Sequence, residues 1–137
     1  MRLGVVVLVA LAACQPPPNG PISLPLADAA SLRLRAVPSG DDLTFHIPLQ
    51  TGFAQRIRLG LFAASGREIA PPLHPVNLSF SFVPATLATA TVVDSTLLVF
   101  ELSAADTAGT EGGLRITLTE PATGTTKSFG PFDILVH

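Results

Sequence analysis

The chain has 137 residues, a formal charge of −2 at neutral pH, 13% charged residues and 47% hydrophobic ones. That balance excludes a disordered polyelectrolyte, gives no general electrostatic pull toward nucleic acid, and leaves enough chain for one modest domain. A single cysteine rules out an internal disulfide, and the absence of Trp and Tyr argues against an aromatic sugar-binding platform, although eight Phe remain for a core.

The N-terminus has the order of a secretory signal. Arg2 supplies a positive start, residues 3–11 are almost wholly apolar, and Ala12 and Ala13 lead to Cys14. A membrane span needs about 20 apolar residues. Here the apolar run stops at Cys14, and Pro16, Pro17 and Pro18 cannot continue a helix because each lacks an amide donor and clashes with the preceding turn. An ordinary signal peptide cut after Ala13 would leave a free thiol at the new N-terminus.

Leu11-Ala12-Ala13-Cys14 resembles the lipobox of bacterial lipoproteins. That resemblance implies removal of residues 1–13 as a signal peptide, and a Cys14 thiol carrying a diacylglyceryl group, commonly with a further N-acyl chain such as palmitate. Each buried methylene contributes about 0.8 kcal/mol and one chain holds only marginally, so several chains make a stable anchor in the lipid bilayer. The expected localisation is therefore the cell envelope. Gln15 stands where enteric inner-membrane lipoproteins tend to carry aspartate, which implies the outer membrane, facing the periplasm, in a host with two membranes.

Residues 14–30 read as the lipidated cysteine and a Pro-rich, semi-rigid spacer. Ile22, Leu24 and Leu26 alternate within it and suit a first edge strand, demoted by Pro21 and Pro25. Residues 31–137 read as the folded domain. Its period is two: Leu32 and Leu34 alternate with Arg33 and Arg35, and Pro38-Ser39-Gly40-Asp41-Asp42 makes a turn. Leu43, Phe45, Ile47 and Leu49 predict one further strand. Ile57, Leu59 and Leu61, alternating with Arg56 and Arg58, predict the next, with a hairpin turn at Ala64-Ser65-Gly66-Arg67 and a short return strand near Ile69.

Pro71, Pro72 and Pro75 bound an irregular loop, after which Val76, Leu78, Phe80 and Phe82 give the cleanest alternation in the chain. Residues 86–93 and 97–102 predict two more strands around an Asp94-Ser95-Thr96 turn. Residues 103–113 read as a small-residue loop, and Leu114, Ile116 and Leu118 as a strand. The turn at Pro121-Ala122-Thr123-Gly124 leads to strands at 125–129 and 132–136, interrupted by Gly130-Pro131.

Seven to nine short strands without a helix after the signal predict an all-β fold, a single antiparallel β-sandwich of immunoglobulin-like or fibronectin type. A small barrel is the alternative that the same pattern permits. Ala104-Ala105-Asp106-Thr107-Ala108 is similar to the corner before the penultimate strand of immunoglobulin domains, although the tyrosine and cysteine that follow that corner in the family are missing.

Motifs of catalysis are not found. His46, His74 and His137 have no second ligand at zinc-site spacing, so no metal and no cofactor is expected. Ser65 lies in a hairpin turn and not in a nucleophile elbow, and Asp41-Asp42 reads as turn chemistry. Asn77-Leu78-Ser79 matches a glycosylation triplet but falls within a strand. Arg33, Arg35, Arg56, Arg58 and Arg115 all occupy the polar phase of their strands, and on one sheet they would form a cationic stripe able to hold carboxylates or phosphates through guanidinium forks. A solvated sheet face with local ion pairs is the plainer alternative.

The expected function is a non-catalytic binding, adaptor or assembly-accessory module of the cell envelope, engaging an envelope protein or glycan. A small-ligand or lipid carrier with a barrel cavity is the alternative, and a hydrolase the third reading.

Overall fold

The computed structural model describes residues 20–70 and 75–137. The expected signal at 1–13, the expected acylation site Cys14, the first part of the expected spacer and His74 lie outside the described residues. Among the described residues nine strands follow a short 3-10 helix at Leu26–Asp28: β1 (Ala29–Ala36), β2 (Ile47–Leu49), β3 (Ala54–Ala63), β4 (Glu68–Ile69), β5 (Asn77–Val83), β6 (Ala88–Asp94), β7 (Val99–Ala104), β8 (Glu111–Glu120) and β9 (Thr125–Val136).

They form two sheets and not a closed barrel. One has the order β1-β3-β7-β6, with β4 beside the far half of β3; the other has the order β2-β9-β8-β5. If β1 and β2 are taken as two halves of one first strand, these orders match the A-B-E-D and A′-G-F-C sheets of immunoglobulin-like sandwiches. The fold is an all-β sandwich. Among the described strands every pairing is antiparallel except β2 with β9, where Ile47 pairs with Ile134 and Leu49 with Val136.

The core is the inward phase of each strand. Leu32 and Leu34 of β1, Ile57, Leu59 and Leu61 of β3, and Phe100 and Leu102 of β7 face Ile47, Leu49, Leu114, Ile116, Leu118, Ile134 and Val136 from the second sheet. Phe80 reaches across from β5, its ring 4.8 Å from that of Phe100. Such aliphatic and aromatic burial is the main favourable term in folding.

The domain begins earlier than the composition suggests. Leu26 and Ala29 are buried, and Ile22 bridges to Ile69 of β4, so the part of residues 14–30 from Ile22 onward packs on the sandwich. Arg67 Nη2 also donates to the Gly20 carbonyl at 2.8 Å.

The alternation from Leu43 to Leu49 does not make one strand. Leu43 is buried against β1, Phe45 stands 83% exposed, and only Ile47–Leu49 pair with β9. Local hydrogen bonds bend the chain: the Leu34 amide donates to Thr44 Oγ1 at 2.9 Å, and the Thr44 amide donates to Asp42 Oδ1 at 2.9 Å. That bend carries the chain from one sheet to the other.

The opposite happens at the C-terminus, where two expected strands are one. Leu114 pairs with Phe132 and Ile116 with Phe129, so Gly130 and Pro131 together face Arg115. Two residues against one is a β-bulge. It resets the phase, so Phe129 points inward before it and Phe132, Ile134 and Val136 after it. Gly130 has φ +118, and a Cβ there would stand 2.7 Å from the Leu114 carbonyl oxygen.

Gly130→Ala is expected to destabilise the domain by about 1–3 kcal/mol, since a side chain is both strained and crowded there. Gly124→Ala, at φ +75 with open space around it, is expected to cost less. Urea midpoints at equal m-values check this; equal midpoints would show that the bulge is not sterically restrained.

Candidate functional site

With Leu32, Leu34 and Ala36 committed to the core, period two leaves Arg33 and Arg35 on the outer face of β1. The same logic on β3 puts Arg56 and Arg58 outside and Ile57, Leu59 and Leu61 inside. The register then sets their neighbours. Arg35 lies directly opposite Arg58, Arg33 opposite Gly60, and Ser31 opposite Phe62.

These side chains bound a recess of about 280 Å³ lined by Arg33, Arg35, Arg58, Gly60, Phe62 and Glu68. Gly60 is its floor: a Cβ there would lie 3.4 Å from the Phe62 ring and 3.6 Å from Glu68 Oε1. The Arg33 guanidinium sits over the Phe62 ring, 5.1 Å from its centroid, in a cation–π contact that fixes its position. Arg35 Nη1 makes one long bond, 3.4 Å, to the Gly40 carbonyl.

Arg56 is on the same face but differently engaged. Glu101 of β7 stands opposite it in register, and its Oε1 accepts from Arg56 Nε at 3.2 Å and Nη2 at 2.7 Å. Both partners are partly exposed, so the pair contributes only about 0–1 kcal/mol. Arg115 is not part of this face at all. It belongs to β8, in the other sheet. The five arginines share a polar phase in the sequence, but β8 pairs with β5 and β9 and never with β1 or β3.

Arg115 lines a separate trough of about 450 Å³ on the second sheet, with Ser81, Val83, Gly112, Gly113, Pro131 and Asp133. A neighbouring recess of about 220 Å³ shares Gly112 and Asp133 and adds His46 and Glu111. Sequence reasoning missed this trough because Gly112 and Gly113 resemble loop composition, whereas β8 already begins at Glu111. The signal was there: Glu111, Gly113 and Arg115 continue the outward phase of Thr117 and Thr119. Beyond the trough the same face is hydroxyl-rich, with Thr117 and Ser128 bonded at 2.8 Å and Thr119 and Thr126 at 3.4 Å.

The remaining candidates are dispersed. His137 is held by main-chain bonds, its amide donating to Leu49 O and its carbonyl accepting from the Thr51 amide. Ser65 Oγ accepts from the Arg67 amide within the hairpin. Asn77 and Ser79 are exposed positions of β5. Among the described residues no group of three or more His, Cys, Asp or Glu is arranged to hold a metal ion. No family model matches the chain, and no curated protein matches it.

Asp42 borders the arginine face through the Arg35–Asp42 bridge. Hydrogen bonds from the Thr44 side chain and amide, reinforced by Arg35 and Arg33, hold its carboxyl below the usual aspartate range. A lowered folded-state pKa gives stability that is present above the unfolded value and lost as pH falls through the folded one. NMR titration is expected to place Asp42 below an ordinary aspartate, and Thr44→Val should move it upward more than Arg35→Gln does. The reverse order would make the arginine charge the principal cause.

Proposed function

We propose that this chain is an exported bacterial lipoprotein whose sandwich serves as a non-catalytic binding, adaptor or assembly-accessory module of the cell envelope. Leu11-Ala12-Ala13-Cys14 supports the anchoring half of that reading, with residues 1–13 removed and Cys14 acylated. The observation that carries the binding half is the outward cluster of Arg33, Arg35 and Arg58 around a glycine-floored recess. Guanidinium groups present planar forks to carboxylate or phosphate oxygens, which makes such a cluster a recognition surface for an acidic protein or glycan.

A carrier needs a chamber between the sheets. The interior instead holds Phe100, Leu34, Ile57, Leu114 and Ile134 with at most 2% exposure each, and this packing favours the binding module.

Two experiments test the two halves. Cys14→Ser should abolish incorporation of labelled fatty acid and leave uncleaved precursor; unchanged labelling would sink the anchoring. In-cell crosslinking followed by mass spectrometry should recover one dominant envelope protein or glycan. Replacing Arg33, Arg35 and Arg58 together with Gln should weaken its retention at low salt, where Arg115→Gln should not. Equal retention in both variants would remove the arginine face from partner binding.

A further inference from the structure

We propose that the recess between β1 and β3 is a binding site for a phosphomonoester carried on a sugar, with the phosphate on Arg33, Arg35 and Arg58 and a neighbouring hydroxyl on Glu68. The assignment deepens the binding-module reading and rests on it.

Charge is the first argument. Arg35 and Arg58 are direct cross-strand partners, an arrangement that brings their Cβ atoms within about 5.5 Å and is unfavourable for like charges. Arg33 adds a third cation to the same recess. Asp42 offsets part of this charge through space, but among the described residues no carboxylate forms an ion pair within 4 Å with Arg33, Arg35 or Arg58. Glu101 is engaged by Arg56, the one ion pair within 4 Å among the described residues. Asp42 is turned to Thr44 by a hydrogen bond to its amide. The undescribed segments, residues 1–19 and 71–74, contain no Asp or Glu.

The lining therefore holds three guanidinium groups and one carboxylate, Glu68. The lining alone has an excess of two positive charges, partly offset by Asp42 at its border, and this suits a phosphomonoester, which carries a charge of about −1.5 to −2 at neutral pH, better than a single carboxylate.

Shape is the second argument. The absence of a side chain at Gly60 opens the floor between Arg33 and Arg58, and the stacking of Arg33 on Phe62 pre-positions one fork. A volume of about 280 Å³ is at the lower end for small-molecule sites, enough for a phosphate and one ring but not for a large ligand.

Glu68 supplies the third argument. A carboxylate beside an anion site repels a second anion but accepts a hydrogen bond from a hydroxyl. Its Oε1 would stand 3.6 Å from a Cβ on Gly60, among the lining of the recess that the three arginines share. A sugar phosphate offers Glu68 a hydroxyl on its carbon frame while all its free phosphate oxygens stay with the arginines; inorganic phosphate can reach Glu68 only with a P–OH of the same ion.

The test is a titration of the purified full chain in non-ionic detergent, followed by amide NMR and calorimetry, with glucose 6-phosphate, glucose, inorganic phosphate and phosphatidic acid added to the micelles as separate probes. Saturable shifts at Arg33, Arg35, Arg58 and Gly60 are expected with glucose 6-phosphate and none with glucose. Arg35→Gln with Arg58→Gln should weaken binding at least about tenfold, as loss of two charge-assisted forks requires. Arg56→Gln and Arg115→Gln should leave it unchanged. Glu68→Gln should weaken glucose 6-phosphate more than it weakens inorganic phosphate.

Unperturbed amide shifts away from the face show that each variant is folded. No saturable response to glucose 6-phosphate, or a response unaffected by the double arginine variant, overturns the proposal. A response to phosphatidic acid in the micelle without one to glucose 6-phosphate overturns the sugar assignment. If glucose 6-phosphate fails but the crosslinked partner still depends on Arg33, Arg35 and Arg58, the phosphomonoester falls and the binding module stands.

Discussion

Burying the inner faces of two sheets against each other commits every second residue of each strand to the core, and its neighbours to water. Ile57, Leu59 and Leu61 cannot all point inward unless Arg56, Arg58 and Gly60 point outward. A slip of one residue would bury two arginines, so parity has to be kept along the whole strand. Where the sequence breaks parity, the backbone absorbs the break. The extra residue at Gly130-Pro131 does so in β9, register shifts near Ala30 in β1 and Val93 in β6 do so elsewhere, and in each case the ladder resumes on the far side.

That constraint also explains which parts of the fold were legible in the sequence. Strands with uninterrupted alternation, such as Leu78-Phe80-Phe82 or Leu114-Ile116-Leu118, read correctly because periodicity alone encodes them. The run from Leu43 to Leu49 misleads because its alternation is real but the Thr44 hydrogen bonds to Leu34 and Asp42 override it. Residues 125–136 mislead in the other direction: Gly130-Pro131 has the chemistry of a breaker, yet a partner strand makes it a bulge. Side-chain bonding to a distant backbone and pairing across strands are tertiary facts, and neither has a local signature.

The candidate site divides the same way. Alternation was enough to place Arg33, Arg35, Arg56, Arg58 and Arg115 outside, since it needs only the strand's own phase. It could not say which strands are neighbours. Register assigns Arg56 to Glu101, sets Arg35 against Arg58, and sends Arg115 to the other sheet. Two chemically identical residues on one strand thus differ in role. Arg56 is compensated by a carboxylate, whereas Arg58 faces a second cation at a cost of a few tenths to about 1 kcal/mol. A fold retains a repulsive pair more readily where an anion relieves it.

The N-terminal segment ties this face to the side of the sandwich at which the proposed anchor enters. The Ile22 amide donates to the Glu68 carbonyl at 2.9 Å, the Ala70 amide donates back to Ile22, and Arg67 holds the Gly20 carbonyl. The chain therefore enters the sandwich alongside β4, whose Glu68 side chain lines the arginine recess. Cys14 and Gly20 are six residues apart, a separation that even fully extended chain spans in about 20 Å. Ile22, which pairs with β4, is eight residues from Cys14, so with Cys14 acylated, as proposed, the tether lets β4 stand off the bilayer by no more than about 30 Å. The recess would then sample a thin layer next to the membrane, where groups fixed to the envelope are concentrated relative to solution, so a site of modest intrinsic affinity suffices to hold them.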